Sequence, residues 1–566
     1  MTENIDIRKL HPVLTEILRK RGCETQEDIA EFLSPLPRKT YDPFAMKGMR
    51  EAVDLIVQFI REGRKICIYG DYDADGVTSV SLLYEFLSGL TSNVTYYIPS
   101  RFSEGYGLNN AAIDRVFAAG AELIITVDCG CVSRAEVEHI KELGMEVIVT
   151  DHHNVDGRKP DCIVLDPKQE ADSYPFSYLC GCGVAFKLAQ ALQRQMGLPK
   201  AEINRLLDVV CIATIGDIVP LVDENRTLVK YGFDRIARGE REGLNRLIGG
   251  IGLDRRNLTS TNVAFGIVPH LNAAGRMKEA ALGVRLLTCR EPDETDALVE
   301  ELKAMNSQRK SVQEKIYRAA CEALGSSAEE ELFLIYDAGR SHEGVTGIVA
   351  GKLKESFYRP VIIVTDAEDG CVKGTGRSVE GLDLHQIMSE CGHLYLKFGG
   401  HAGACGFTMK REHLEELRQS LNESVRRRLA EDPHLLTCEI KWDAEISSSE
   451  VTLAFASQIA RMEPFGEGNP QPVFRIAGVL VKSVIRMGND GQYRKFVCEA
   501  ENGSLFNAVW FDVEESRAEE IVSGSEVVLI GSLEINSWRG KRSVQCMIRD
   551  IRPVQTSAGR RNKEKE

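Results

Sequence analysis

Apolar and polar positions change their period several times along the chain, and the changes mark its segments. Residues 1–44 carry two short amphipathic patterns, the second opening at Thr25 with Asp28 three residues on, a near capping box that predicts a helix start there. From Lys65 short β-rich runs alternate with helical patterns: KICIYG, VTSVSLLYEFLSGL, NVTYYIPS, NNAAIDRVFAAG, ELIITVD, RAEVEHIKELG, MEVIVTD and CIVLD. Strands alternating with amphipathic helices predict a parallel sheet covered on both faces. Residues 291–324 keep one helical stripe, Leu298, Leu302, Met305, Val312 and Ile316, with Pro292 near the first position and acids in the first turn. This long helix is expected to join two domains. A second α/β segment follows, with strands ELFLIYD and PVIIVTD and the glycine-rich passages GTGRS and FGGHAGACGF, the latter two read as loops. Beyond about 438 short strands such as VFRIAGVLV, FNAVWF and EVVLIGSLE alternate with turns, the spacing of a small β-barrel of OB-fold type.

The expected architecture is therefore α/β: two α/β domains joined by a long helix, plus a C-terminal barrel. The expected boundaries are a helical lead-in at 1–44, a first α/β domain at 45–290, the linker helix at 291–325, a second α/β domain at 326–430, the barrel at 431–556 and a disordered tail at 557–566. A length of 566 residues suits about three or four cores. No apolar run approaches the roughly 20 residues of a membrane helix, and the start lacks a signal-peptide segment, so a cytoplasmic protein without membrane contact is expected. The 16 cysteines are scattered and contain no C-x-x-C pair, so reduced thiols serving as small core residues are expected. A net charge of −14 argues against a surface coated for nonspecific DNA binding, although a local basic groove remains open.

GDYDADGVTS, residues 70–79, spaces three carboxylates two apart and closes on glycine. An EF-hand loop begins this way, but its twelfth position, where a glutamate is needed, is Leu82, and the preceding stretch reads as a strand. Asp71 follows KICIYG, Asp128 ends ELIITVD, and Asp151-His152-His153 ends MEVIVTD. Open parallel sheets bind ligands outside their carboxyl ends, so three strands deliver acid or imidazole to one edge. Asp71 and Asp73 point the same way in an extended segment, and Asp75 is read as the cap of a helix beginning near Val77. With Asp217 of ATIGDIVPL the set is oxygen and nitrogen without thiolate, a chemistry of Mn²⁺ or Mg²⁺, and it suffices for two divalent ions that hydrolyse a phosphate ester.

In this order GDYDADGVTS, ITVDCG, VTDHH and ATIGDIVPL resemble the motifs of the DHH phosphoesterase superfamily. HLNAAGRM at 270–277, HEGVTGIVAGKL at 342–353, GTGRS at 374–378 and FGGHAGACGF at 398–407, with the terminal barrel, extend the resemblance to its RecJ-type bacterial single-strand-specific exonucleases. The resemblance implies a 5′ to 3′ exonuclease that releases mononucleotides from single-stranded DNA, in repair and recombination, with two Mn²⁺ or Mg²⁺ ions as cofactors. It implies Asp71, Asp73, Asp128, His152 and Asp217 as metal ligands, Asp128 as the bridge, and Asp73, Asp128 and His153 as the catalytic core, with His153 holding or protonating the scissile phosphate. Tyr69 stands where some relatives have a histidine, which bears on one ion's coordination. Arg101, Thr375 and Arg377 are implied as a 5′-phosphate pocket; Asn272, Arg276, His342 and His401 as further DNA contacts.

In the barrel, QYRKF (Tyr493, Arg494, Lys495) and SWRGKRS (Trp538, Arg539, Lys541, Arg542) interleave aromatics and cations as single-strand binding requires. From residue 439 onward, however, 17 Lys and Arg face 19 Asp and Glu, a net of −2, so any groove there is local. The implied partners are single-stranded DNA, single-strand-binding protein and a RecQ-type helicase, with the protein itself a monomer. Two other readings stay open. DHH relatives also cleave short RNAs, cyclic dinucleotides or pyrophosphate, generally without a barrel, and replication-associated relatives keep the fold as scaffolds after losing carboxylates.

Overall fold

Unbroken runs of branched apolar residues make the first sheet. Its strands are β1 (Ile66–Gly70), β2 (Val94–Tyr97), β3 (Leu123–Val127), β4 (Glu146–Thr150) and β5 (Ile163–Leu165). They pair in the order β2-β1-β3-β4-β5, every pairing parallel. β1 and β3 are buried along their whole length, as strands covered on both faces must be, so they cannot show apolar-polar alternation. Because β1 has β2 on one side and β3 on the other, the chain leaves the two central strands in opposite directions. That switch opens a crevice at their carboxyl ends.

The computed structural model describes residues 9–554 except 156, 158, 326–330, 489, 490, 512, 514 and 539. Two compact units emerge, one of Met1–Val268, Val284–Thr295 and Ile440–Glu566, the other of Pro269–Gly283 and Asp296–Glu439. The second contains β6 (Leu334–Asp337), β7 (Val361–Asp366), β8 (Cys371–Arg377), β9 (Tyr395–His401) and β10 (Ala404–Lys410), ordered β6-β7-β8-β10-β9. Alternate residues serve opposite faces: Leu334, Val361 and Ile363 pack with the Glu343–Phe357 helix and the end of the Pro292–Leu324 helix. Ile335, Ile362 and Val364 pack with Leu417 and Leu421 of the Leu414–Glu431 helix. The expected linker helix is thus present at 33 residues, and most of it belongs to the second unit.

The glycine-rich passages are not loops. GTGRS lies in β8, and FGGHAGACGF is β9, a turn and β10, joined to β8 as antiparallel strands. A Cβ on Gly374 would stand 2.1 Å from the Phe407 ring, and one on Gly376 would stand 2.9 Å from Leu384. These two glycines thin the strand so that large side chains can cover it.

The barrel comprises β11 (Ala444–Ser447), β12 (Val473–Met487), β13 (Tyr493–Ala500), β14 (Leu505–Trp510), β15 (Glu526–Trp538) and β16 (Lys541–Pro553), closed by the β12–β15 pairing. Its core includes Phe474, Phe496 and Trp510 together with Leu14, Ile17, Leu18, Ile29 and Leu33 from the two N-terminal helices. The Thr25–Asp28 capping box forms, but the lead-in is a piece of the barrel's core rather than a free-standing element. None of the 16 cysteines is in a disulfide. Among the described residues no helix is long and apolar enough to cross a membrane.

One buried cation ties this unit together. Arg226, on the Asp223–Arg238 helix, lies 3.8 Å from the Phe32 ring centroid. It donates to the carbonyls of Phe32 (3.0 Å), Met462 (3.0 Å), Glu463 (2.8 Å) and Pro464 (3.4 Å). Arg226→Ala strands these buried acceptors, and the expected loss is about 3 kcal/mol of stability, read as a lower midpoint in chemical denaturation. An unchanged midpoint would show that the carbonyls find other partners.

Candidate metal centre and phosphate-binding residues

At the carboxyl edge of the first sheet, side chains from several elements converge. Oxygens of Asp71, Asp73 and Asp128 lie within 4.8 Å of one another, as do ligand atoms of Asp75, His152 and Asp217, and of Asp128, Asp151, His152 and His153. His152 Nε2 is 3.1 Å from Asp128 Oδ1, 3.5 Å from Asp217 Oδ2 and 3.7 Å from Asp75 Oδ2. Yet His152 Nε2, Asp128 Oδ1 and Asp71 Oδ1 are buried without a hydrogen-bond partner. Buried polar atoms are almost always paired, so orphaned atoms within these ligand groups suit bound cations. Burial first, then the neighbouring carboxylates, pushes Asp71 and Asp217 up to about 8 and Asp75 up to about 6, and Asp128 well above the usual range. Burial, then His153, pushes His152 down to about 3. Carboxylates and a neutral imidazole in this state are ready to exchange protons for a divalent ion. The donor set fits Mn²⁺ or Mg²⁺.

Local structure fixes each group. The cap of the Ala74–Ser88 helix is Asp73, not Asp75: Asp73 Oδ1 accepts from the amides of Asp75 (2.9 Å) and Gly76 (3.1 Å). A cap must precede the amides it satisfies, and Asp75 already lies inside the first turn. Its carboxylate instead crosses to the start of the Gly181–Gln195 helix, accepting from Gly181 N (2.6 Å) and Cys182 N (2.8 Å). That helix approaches so closely that a Cβ on Gly181 would stand 2.6 Å from Asp128 Cβ. Asp128 itself is held at φ +61°, a left-handed backbone uncommon outside glycine and often found at functional sites.

Asp151 organises the histidine pair. Its Oδ1 accepts from His152 N (2.7 Å), His153 N (3.2 Å) and His153 Nδ1 (2.7 Å), and its Oδ2 accepts from Cys131 N (2.9 Å). Burial would raise this carboxyl, but the bonds to His153 hold it well below the usual range. Burial would likewise lower His153, yet Asp151 pushes it up to about 9. Tyr106 Oη stands 3.3 Å from His153 Nδ1. Asp75, Asp151, Tyr106 and Gly181 are absent from the ligand and contact residues read off the sequence. Two of them left a signal: Asp75 is the third carboxylate of GDYDADG, and Asp151 is an acid directly before two histidines at a strand end. Tyr69 takes no part in the cluster: it is buried among Leu108 and Ile113, and its hydroxyl donates to Gly107 O (3.1 Å).

Arg101 lies in the same unit, 5.0 Å over the Tyr72 ring, close enough for its charge to act on Asp71. The other expected DNA contacts belong to the second unit. His401, Ala404 and Arg377 share one rung across β9, β10 and β8, and Thr375 lies one repeat along the same face as Arg377. Arg377 and Thr375 sit against Gly347, where a Cβ would stand 2.9 Å and 3.3 Å from them. Arg276 donates to Gly344 O (2.9 Å), and His342 caps the same Glu343–Phe357 helix through Nδ1 (3.2 Å to Gly344 N). Asn272 is on the Val268–Met277 helix. His401 Nδ1 accepts from Gly403 N (3.2 Å), which leaves the proton of a neutral ring on its Nε2.

In the barrel Tyr493 meets Phe511 edge-on at 4.9 Å, Lys495 is half-buried, and Lys541 and Arg542 are exposed at the start of β16. Arg494 departs from expectation. It is buried on the core face of β13, and its guanidinium bonds the carbonyls of Gly491 and Tyr493, because alternation along the strand turns every second residue inward. The Trp538 side chain and Arg539 lie outside the described residues, as does the 557–566 tail.

Known families match along the chain. The DHH family N-terminal domain matches residues 65–214, the DHHA1 domain 332–427 and the RecJ OB domain 442–550. The single-stranded-DNA-specific exonuclease RecJ of Bacillus subtilis is 38% identical over 97% of this chain and 69% of its own length. That of Escherichia coli is 34% identical over 96% of both chains. Among solved structures, RecJ from Thermus thermophilus in complex with Mn²⁺ superposes with a TM-score of 0.80 at 30% identity, covering 98% of this chain and 78% of that one. The Mg²⁺ complex of the same protein superposes with a TM-score of 0.75 at 29% identity, covering 98% and 76%. On the converging acids and the agreement along nearly the whole length, this chain belongs to the RecJ family of single-stranded-DNA-specific exonucleases.

Proposed function

We propose that the protein is a single-stranded-DNA-specific 5′ to 3′ exonuclease that releases 5′-mononucleotides by two-metal-ion phosphodiester hydrolysis. The observation that carries this reading is the convergence of three ligand groups, linked through Asp128 and His152, at the switch point of a parallel sheet, where Asp71 Oδ1, Asp128 Oδ1 and His152 Nε2 are buried without a hydrogen-bond partner. Asp71, Asp73, Asp128, His152 and Asp217 would hold two Mn²⁺ or Mg²⁺ ions, Asp128 being common to two of the three ligand groups. Bound there, the ions supply Lewis-acid stabilisation of charge on the scissile phosphate and its departing oxygen.

The chain's own groups do the rest. Asp151 holds His153 by Nδ1 and keeps it charged, which leaves Nε2 to donate to the phosphate. In the second unit Thr375 and Arg377 receive the terminal 5′-phosphate, for which a guanidinium is the geometric match, and in the first unit Arg101 contacts a phosphate of the strand. Asn272, Arg276, His342 and His401 contact the strand. Tyr493, Lys495, Lys541 and Arg542 guide it by stacking and charge. The protein works as a monomer in the cytoplasm, in DNA repair and recombination, beside single-strand-binding protein and a RecQ-type helicase.

The decisive assay gives the protein Mn²⁺ and single-stranded DNA with a labelled 5′-phosphate, alongside duplex DNA, short RNA and a cyclic dinucleotide. Early release of labelled mononucleotide from the single strand alone is expected. Cleavage of only the small substrates would redirect the reading to them. Asp128→Ala should abolish hydrolysis with an unchanged circular dichroism spectrum, because the shared ligand is gone. Asp151→Asn should lower kcat by about 10- to 100-fold with KM nearly constant, since it misorients His153 without touching the strand. Arg377→Ala should raise KM for a 5′-phosphorylated strand about tenfold, while a 5′-hydroxyl strand is degraded as by wild type.

A further inference from the structure

Ile218 directly follows Asp217, whose carboxylate lies 3.5 Å from His152 Nε2. Its backbone has φ +59°, a left-handed conformation that a β-branched residue adopts only under constraint. Burial does not explain it, because the side chain is 71% exposed. A residue that is strained and also unburied gains nothing from folding that a glycine or asparagine would not supply better.

The surrounding structure enforces this conformation. Leu221 N donates to Glu467 O (2.8 Å), and Asn225 Nδ2 holds the carbonyls of Tyr178 (2.6 Å) and Pro220 (3.0 Å). Two glycines let residues 465–469 press against the loop: a Cβ on Gly466 would stand 2.7 Å from Leu221, and one on Gly468 would stand 3.1 Å from Pro220. The loop is clamped so that an apolar branched side chain projects into solvent one residue from the metal centre.

From this, and resting on the nuclease reading above, we infer that Ile218 is a substrate-contacting residue, against which the nucleobase of the nucleotide held at the metal centre packs. A single strand offers phosphates to the carboxylate-bound cations, and its only apolar surface of suitable size is the face of a base. Ile218 therefore grips the base while the neighbouring Asp217 serves the phosphate. Its contact is indifferent to base identity, since every base has an apolar face.

The test compares wild type, Ile218→Gly and Ile218→Val on two 5′-phosphorylated single strands, one of thymidines and one whose 5′-terminal nucleotides are abasic. Ile218→Gly should raise KM on the base-bearing strand about tenfold and leave the abasic strand unchanged. Ile218→Val, which keeps the branch at Cβ, should restore most of the loss. The glycine variant should melt at or above the wild-type temperature, because glycine takes this φ without strain. An equal change on both strands, or none on either, overturns the inference. Failure of wild type to degrade either strand overturns the nuclease reading instead, so the two failures are distinct.

Discussion

Three buried acidic side chains and an imidazole cannot stand together without something to balance them. Asp71, Asp75 and Asp128, with the half-buried Asp73 and Asp217, gather near His152 at the end of a parallel sheet, and burial makes the charged forms of Asp71, Asp75, Asp128 and Asp217 expensive. The neighbouring structure is built around that constraint. Amides at the start of two helices take up one oxygen of Asp73 and both of Asp75, and glycine at 181 clears the approach to Asp128. Among the oxygens left over, Asp71 Oδ1 and Asp128 Oδ1 are buried with no hydrogen-bond partner, which keeps them available to cations.

The strand order explains where this happens. Parallel sheets expose their ligand-binding edge where neighbouring connections diverge, and here β1 and β3 deliver Asp71 and Asp128 to that edge while β4 adds Asp151, His152 and His153. Asp217 comes from a helix end in another part of the same unit, carried on a loop that the barrel's entry segment holds down. The chemistry therefore depends on contacts from residues well outside the sheet. Loops that carry functional groups are often positioned by a rigid frame in this way.

Much of this was legible in the chain because it is local. Strand and helix periods, the acids at strand ends, the Thr25 capping box and the long helix all follow from neighbours within a few residues. What escaped depends on distant partners. GDYDADG shows three acids but not what Asp75 is for, since its carboxylate goes to the amides of Gly181 and Cys182 more than 100 positions away. GTGRS looked like a loop because its glycines carry no strand signal; Phe407 and Leu384 supply the reason they are there. Arg494 looked available for DNA until the register of β13 turned it inward.

The N-terminal helices raise a different matter, one of timing. Leu14, Ile17 and Leu18 bury their side chains in the core that includes the barrel, and His11 N reaches Gln458 across 447 positions of chain. Synthesis runs from N to C, so these helices are made well before the barrel strands they pack on. In that interval their apolar stripe lacks its partner, and contacts of such sequence separation form slowly even in a finished chain. The helices are thus secured late, which leaves them exposed to aggregation and to chaperones until the barrel is complete.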